Sequence, residues 1–149
     1  MKLKLITESE KLEFYTPDSQ SKLELPYFAS NVSAGFPSPA EDYVDSSLDL
    51  NTFLIKKPSA TFYVRVKGDS MKDVNINDGD LLVVDRSLEA VNNCIAICIL
   101  NGEFTVKRLI IGKDKILLQP ENPDYPTIEI FPENDFEVWG VVAYVIHKV

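Results

Sequence analysis

The sequence predicts a mostly β protein, and three observations support that prediction. Apolar residues make up 45% of the 149 positions, which is enough for the core of one domain of ordinary size. Val, Ile, Phe and Tyr, which favour strands, are common, and Gly and Pro interrupt the chain. Asn101-Gly102 lies between two apolar stretches and is the strongest short signal for a β-hairpin.

The first 34 residues are predicted to form a flexible arm ahead of this β body. They are mixed and polar, their periodicity is weak, and they carry four Lys and five acidic residues. In residues 34–39, one Gly and two Pro favour an irregular, extended chain. We therefore expect an arm, residues 1–34, and a β domain, residues 35–149.

One or two short helices are expected between the arm and the strands. Ser38 and Glu41 have the spacing of a capping box, with Pro39 at the first helical position, which predicts a short helix to about Ser46. Asp49 is suited to cap a second short helix over residues 50–55.

After Pro58 the pattern changes to strands. Residues 61–67 alternate, which puts Phe62, Val64 and Val66 on one face. The predicted strands cover residues 61–67, 81–84, 94–100, 103–110, 116–119, 127–131 and 136–147.

The charge balance argues against direct binding to DNA. The formal net charge is −8 and the pI is about 4.6, whereas duplex binding depends on clustered Lys and Arg that meet phosphates. Protein partners are the better expectation, without direct sequence-specific DNA binding.

The cysteines and the N-terminus indicate a reducing, cytoplasmic setting. On one strand, Cys94 and Cys98 would lie about 13 Å apart, too far for a disulfide. With a single His in the chain they are too few for a metal site, so no metal or cofactor is expected. The charged N-terminus lacks a signal-peptide core, and the apolar run at residues 94–100 is too short to cross a membrane.

Gly68-Asp69-Ser70-Met71, placed just after a strand, is the first feature that could carry chemistry. A Gly before a Ser permits a sharp turn and leaves backbone N–H groups free to stabilise an oxyanion. By itself the motif is more typical of an ordinary turn.

Lys107 is the second such feature. In a two-residue hairpin at Asn101-Gly102, Leu100 pairs with Glu103 and Lys107 with Ala96. The predicted neighbours on its face are Cys94, Ala96, Cys98, Thr105 and Leu109, and none of them is a carboxylate. Desolvation can lower a lysine pKa by up to about 3–5 units, and a neutral amine can take a proton from a serine hydroxyl. The alternative is a solvated face with an ordinary lysine.

Together, these motifs resemble the LexA/UmuD family of self-cleaving Ser/Lys peptidases. The resemblance lies in Gly68-Asp69-Ser70-Met71, in Gly79-Asp80 and in the run Glu103-Phe104-Thr105-Val106-Lys107. Residues 34–44 resemble the cleavage region of UmuD-type members. The resemblance extends from about residue 34 to the C-terminus and implies a LexA/signal-peptidase-like β fold.

By this resemblance, Ser70 is the nucleophile, Lys107 is its general base, and Ala34–Gly35 is the scissile bond. The UmuD-type pattern has Cys before the Gly, where this chain has Ala34, but LexA-type sites also use Ala-Gly. The N–H of Ser70 is the expected oxyanion donor. Met71 is a second candidate, although a Met more commonly packs in a core.

The resemblance also implies a role in the bacterial SOS response to DNA damage. A RecA–single-stranded DNA filament would stimulate self-cleavage and removal of residues 1–34. The trimmed homodimer would then join a UmuC-type polymerase in error-prone translesion synthesis.

Other functions fit the sequence less well. A LexA-like repressor needs a helix-turn-helix domain before the cleavage site, and 34 residues without a basic recognition helix are too few. A signal peptidase needs a membrane anchor, and a non-catalytic binding module would have no need of Ser70 and Lys107. A Ser-His-Asp triad would have to use His147, in the last predicted strand. Asp69, Asp78 and Asp80 fit turns better than a metal cluster.

Overall fold

Antiparallel strands account for most of the chain that the computed structural model describes, namely residues 3–8, 12–18, 21–28 and 44–149. The strands are β1 (Leu3–Glu8), β2 (Leu12–Pro17), β3 (Glu24–Phe28), β4 (Val44–Asp49), β5 (Thr61–Val66), β6 (Leu81–Asp85), β7 (Ile95–Leu100), β8 (Glu103–Ile111), β9 (Ile116–Gln119), β10 (Ile128–Ile130) and β11 (Phe136–Ile146). Nine of them form one sheet in the order β1-β2-β5-β6-β11-β7-β8-β9-β10, and β3 pairs with β4 in a second sheet. The mostly β prediction is confirmed.

The chain divides into two compact units. The first unit, Met1–Asp18 with Lys57–Val149, contains the nine-stranded sheet, and the second, Ser19–Lys56, contains the β3–β4 pair. The second unit also holds the short helix α1 (Leu50–Leu54), whose first N–H groups donate to the side chain of Asp49. The predicted cap and the second helix are therefore confirmed.

The helix predicted from Pro39 to about Ser46 is wrong over its last residues. Val44 and Ser46 belong to β4, where they pair with Phe28 and Tyr27 of β3. This pairing lies outside the local capping pattern, which therefore gave no sign of it. The capping-box residues themselves fall outside the described part of the chain.

Part of the predicted arm is a strand of the large sheet. From Leu12 to Tyr15, β2 pairs with β5, and Leu12 and Phe14 are 2% and 0% exposed. Alternating apolar residues over only two positions gave too weak a period to identify this strand from sequence. The expected flexible arm is thus, over β2, a buried and paired element.

The predicted strands of the β body are all present, and each end agrees within one residue. The hairpin between β7 and β8 has Asn101 and Gly102 at φ 49° and 85°, the left-handed conformations that a two-residue turn of this kind requires. Leu100 pairs with Glu103 and Ala96 with Lys107, so the predicted register is confirmed.

Apolar side chains are buried on both faces of the large sheet, because neighbouring residues of β7 and β8 belong to two different clusters. The larger cluster contains Leu12, Phe14, Val64, Val66, Met71, Ile76, Leu82, Val84, Ile97 and Val106. The smaller cluster contains Ala96, Cys98, Leu109 and Leu118. By strand alternation, Lys107 lies on the face of the smaller cluster.

Candidate active site

Ser70 lies in a tight turn that begins where β5 ends. Gly68 has φ +98°, a left-handed conformation that residues with a Cβ rarely adopt. Its N–H donates to Oδ1 of Asp78 at 2.8 Å. The sharp turn predicted before Ser70 is therefore present, and Asp78 stabilises it.

The loop after β9 supports this turn from a distant part of the sequence. The N–H of Glu121 donates to the carbonyl of Ser70 at 2.8 Å. Asn122, 3% exposed, donates from its side-chain amide to the carbonyl of Asp69 at 2.9 Å, and the Tyr125 hydroxyl donates to Oδ1 of Asp69 at 2.7 Å. Sequence reasoning missed these supporting residues, since Asn and Pro at residues 120–126 indicate only a turn.

Lys107 brings its amine to Ser70 from the middle of β8. The residue is 8% exposed, and its Nζ lies 3.3 Å from Oγ of Ser70. Nζ also lies 2.8 Å from Oγ1 of Thr105 and 3.0 Å from the carbonyl oxygen of Val106. The two residues singled out from the sequence, 37 positions apart, are thus in hydrogen-bond contact.

The surroundings of Lys107 are as apolar as the register predicts. Its strand partner Ala96 and the nearby Cys98 are both 0% exposed. Burial, chiefly, raises the pKa of the Cys98 thiol to about 12, with a further rise from Cys94 and an opposing effect from Lys107. A face that penalises a thiolate also penalises an ammonium ion. Cys94 and Cys98 are both free thiols.

Met71 packs its side chain in the larger core cluster, where it is 1% exposed. The core alternative raised for this side chain is therefore correct, while its backbone stays beside Ser70. Within the described residues, the N–H groups of Lys72 and Val74 donate to turn carbonyls, whereas those of Ser70 and Met71 donate to no acceptor.

His147 is paired with an aspartate rather than with the serine. Its Nδ1 lies 2.7 Å from Oδ1 of Asp80, which is 4% exposed and whose other oxygen accepts from the N–H of Asn77. Each of the three aspartates considered as a metal cluster thus has a structural partner in a turn or at a strand end.

Ala34 and Gly35 lie outside the described residues, so the scissile bond stays a prediction. Among the residues that are described, no helix is long and apolar enough to cross a membrane.

A serine hydroxyl against a buried lysine amine, both held by an antiparallel β fold, defines the class of Ser/Lys peptidases. The profile of the Peptidase S24-like family matches residues 26–143, and the chain belongs to this family.

Curated relatives agree with this assignment over most of the chain. Protein SamA of Salmonella typhimurium strain LT2 is 49% identical over 123 residues, which cover 83% of this chain and 85% of SamA. Protein MucA of Salmonella typhimurium is 42% identical over 90% of this chain and 92% of MucA. Protein ImpA of Escherichia coli is 42% identical over 89% of this chain and 90% of ImpA.

Family membership and these relatives identify the protein as a self-cleaving serine peptidase of the UmuD type that acts in SOS mutagenesis. UmuD-type relatives act as dimers in that process.

Proposed function

We propose that Ser70 and Lys107 form the catalytic dyad and that the bond they cut is the chain's own Ala34–Gly35 bond. The observation that carries the proposal is the 3.3 Å approach of the buried Lys107 Nζ to Ser70 Oγ. This separation is slightly long for a hydrogen bond, as is common for catalytic groups without a bound substrate.

The proton transfers follow from this geometry. Neutral Lys107 takes the Ser70 hydroxyl proton while Oγ attacks the Ala34 carbonyl carbon. The protonated amine then gives that proton to the nitrogen of Gly35, which leaves as a free amine. Ala34 remains as an ester on Ser70 until water, deprotonated by Lys107, releases it as a carboxylate. The products are residues 1–34 and 35–149.

The developing oxyanion needs donors that are already in place. The N–H groups of Ser70 and Met71 are suited to this, because neither donates within the described part of the chain and both lie at the nucleophile. Met71 would then anchor the turn through its buried side chain and serve the reaction through its backbone.

The proposed cellular role follows the family resemblance. A RecA–single-stranded DNA filament would stimulate the cut in the cytoplasm by favouring the state in which residues around Ala34 occupy the site. The trimmed homodimer would then join a UmuC-type polymerase in translesion synthesis.

Mass spectrometry of the purified protein at alkaline pH tests the proposal. More lysine is neutral as the pH rises, so a fragment that begins at Gly35 should form faster, and RecA filament should accelerate its formation further. Ser70→Ala and Lys107→Ala should each reduce the rate by at least about 10³-fold. Lys115→Ala, at an exposed position before β9, is the matched control and should cleave normally. An active Lys107→Ala protein would overturn the dyad, and a cut at another bond would overturn the assigned site.

A further inference from the structure

The predicted scissile bond lies between strands that are paired with each other. Residues 1–34 include β1, β2 and β3, while β4 and β5 belong to residues 35–149. In the first compact unit β2 pairs with β5, and in the second β3 pairs with β4. Cutting Ala34–Gly35 breaks neither set of backbone hydrogen bonds.

The β2–β5 pairing is anchored by an aromatic side chain from the fragment. Phe14, 0% exposed, has its ring centroid 4.6 Å from that of Phe104 and 5.0 Å from that of Trp139. Leu12, 2% exposed, is part of the same core cluster and is opposite Val66. The fragment therefore supplies part of the core of residues 35–149 rather than a surface covering.

Polar contacts join the two sides of the cut as well. Glu13 of β2 forms an ion pair with Lys67 at 3.1 Å. In the second unit, the side-chain amide of Asn51 donates to the carbonyl of Ser21 at 2.6 Å, and the N–H of Leu23 donates to Asp49 at 3.4 Å.

We propose that residues 1–34 stay bound to residues 35–149 after self-cleavage, with β2 on the edge of β5 and β3 on β4. The proposal rests on the proposed function for the position of the cut. Departure of the fragment would leave β5 as an open strand edge and would uncover the Phe104 and Trp139 side of the core, which is unfavourable in water. Cutting the bond and exposing that edge are therefore separate events.

Gel filtration of the cut protein in native buffer, followed by mass spectrometry, tests retention. One sample is the self-cleaved chain. The other is a full-length Ser70→Ala chain with a recognition sequence for a site-specific protease inserted between Ala34 and Gly35, cut by the added protease. In both, the two pieces should elute together at 1:1 and separate only in concentrated guanidinium chloride. Early loss of the small piece in native buffer would overturn the proposal.

This design separates the two hypotheses. If the unmodified chain fails to cut itself, the proposed function fails, and the protease-cut sample still decides retention. A Leu12→Ala/Phe14→Ala double variant should lose the fragment on the column, while Leu23→Ala, at a position 62% exposed, should keep it.

Hydrogen exchange provides a readout that does not depend on the folding of a variant. In the cut chain with natural residues at positions 12 and 14, amides of Leu12 to Tyr15 should remain protected as in the uncut chain. Exchange of these amides at the rate of an unstructured peptide would contradict retention.

Discussion

The partners of Lys107 Nζ determine whether this amine can act as a base. A neutral amine has two N–H bonds and one lone pair. The geometry allows the N–H bonds to donate to Oγ1 of Thr105 at 2.8 Å and to the carbonyl of Val106 at 3.0 Å. The lone pair is then directed to the hydroxyl proton of Ser70, 3.3 Å away between heavy atoms. Thr105 is in this arrangement a positioning residue.

Thr105→Val should therefore slow self-cleavage by about 10-fold, equivalent to about 1.4 kcal/mol, because the amine loses one fixed partner while the side-chain shape is kept. A hydroxyl accepts more strongly from an ammonium than from an amine, so its loss should also move the pH profile of cleavage to lower pH. Rates measured from pH 7 to 11 check both effects. Thr105→Ser should restore the profile, and a Val variant with unchanged rate and profile would remove Thr105 from the mechanism.

Cys98 reports on the same buried face. Burial raises its thiol pKa from about 9 to about 12, so the folded protein holds the thiol proton over that interval. Below pH 9 this has no effect on stability, and between pH 9 and 12 the raised pKa destabilises the fold progressively, because the unfolded chain releases the proton more easily.

We expect Cys98 to resist alkylation by iodoacetamide at pH 8–9 in the folded protein, since the reactive form is the thiolate. Cys94, which is partly exposed, should react faster. Peptide mass spectrometry after timed quenching measures both, and both should react at similar rates in denaturant. Equal rates in the folded protein would indicate that this face is open to water.

At the scale of elements, sequence predicted the β body well because its signals are local. Asn101-Gly102 requires left-handed conformations, and this requirement set the register that places Lys107 opposite Ala96. By contrast, β4 was mistaken for the end of a helix, because its partner β3 is distant in sequence and its own residues, Val44-Asp45-Ser46-Ser47, have no clear period.

The candidate site was only partly predictable. Strand register gave the apolar setting of Lys107, but nothing local indicated that Ser70 would lie beside it, and only the family resemblance joined the two. The supporting contacts of Asn122 and Tyr125 were missed, because a turn after β9 has no sequence signal that points to residues more than fifty positions earlier.

A bulge in β11 provides a prediction at this scale. The register of β11 against β7 shifts between Val138 and Gly140, and a Cβ on Gly140 would lie 2.6 Å from Cγ1 of Val84. Gly140→Ala should therefore lower the free energy of unfolding by about 1–3 kcal/mol, since β6 and β11 must move apart in a packed core. Urea denaturation measures the change. Ala143→Ser, at an exposed position of the same strand, should stay within about 0.5 kcal/mol, and equal stability of the two variants would contradict the clash.

For the whole molecule, charge separates the expected stimulus from DNA itself. The chain carries 15 Lys and Arg against 23 Asp and Glu, a net −8. A phosphate backbone would be repelled at low salt, where attraction of basic proteins is strongest. A nucleoprotein filament presents a protein surface instead, and only such a surface fits an acidic partner.

Self-cleavage should therefore respond to the filament and not to nucleic acid. Single-stranded DNA alone, or duplex DNA, should leave the rate of Gly35 fragment formation unchanged within twofold at low and at physiological salt, whereas RecA filament on the same DNA should raise it. RecA without DNA is the control for non-specific protein effects, and Ser70→Ala shows that the fragment arises from the chain's own serine. Acceleration by DNA alone would show that charge does not govern this encounter, and measurable sequence-specific duplex binding would favour a repressor-like activity. Because the chain carries −8 and its body −7 once four Lys and five acidic residues leave with the fragment, the cut protein should behave toward DNA as the uncut one does.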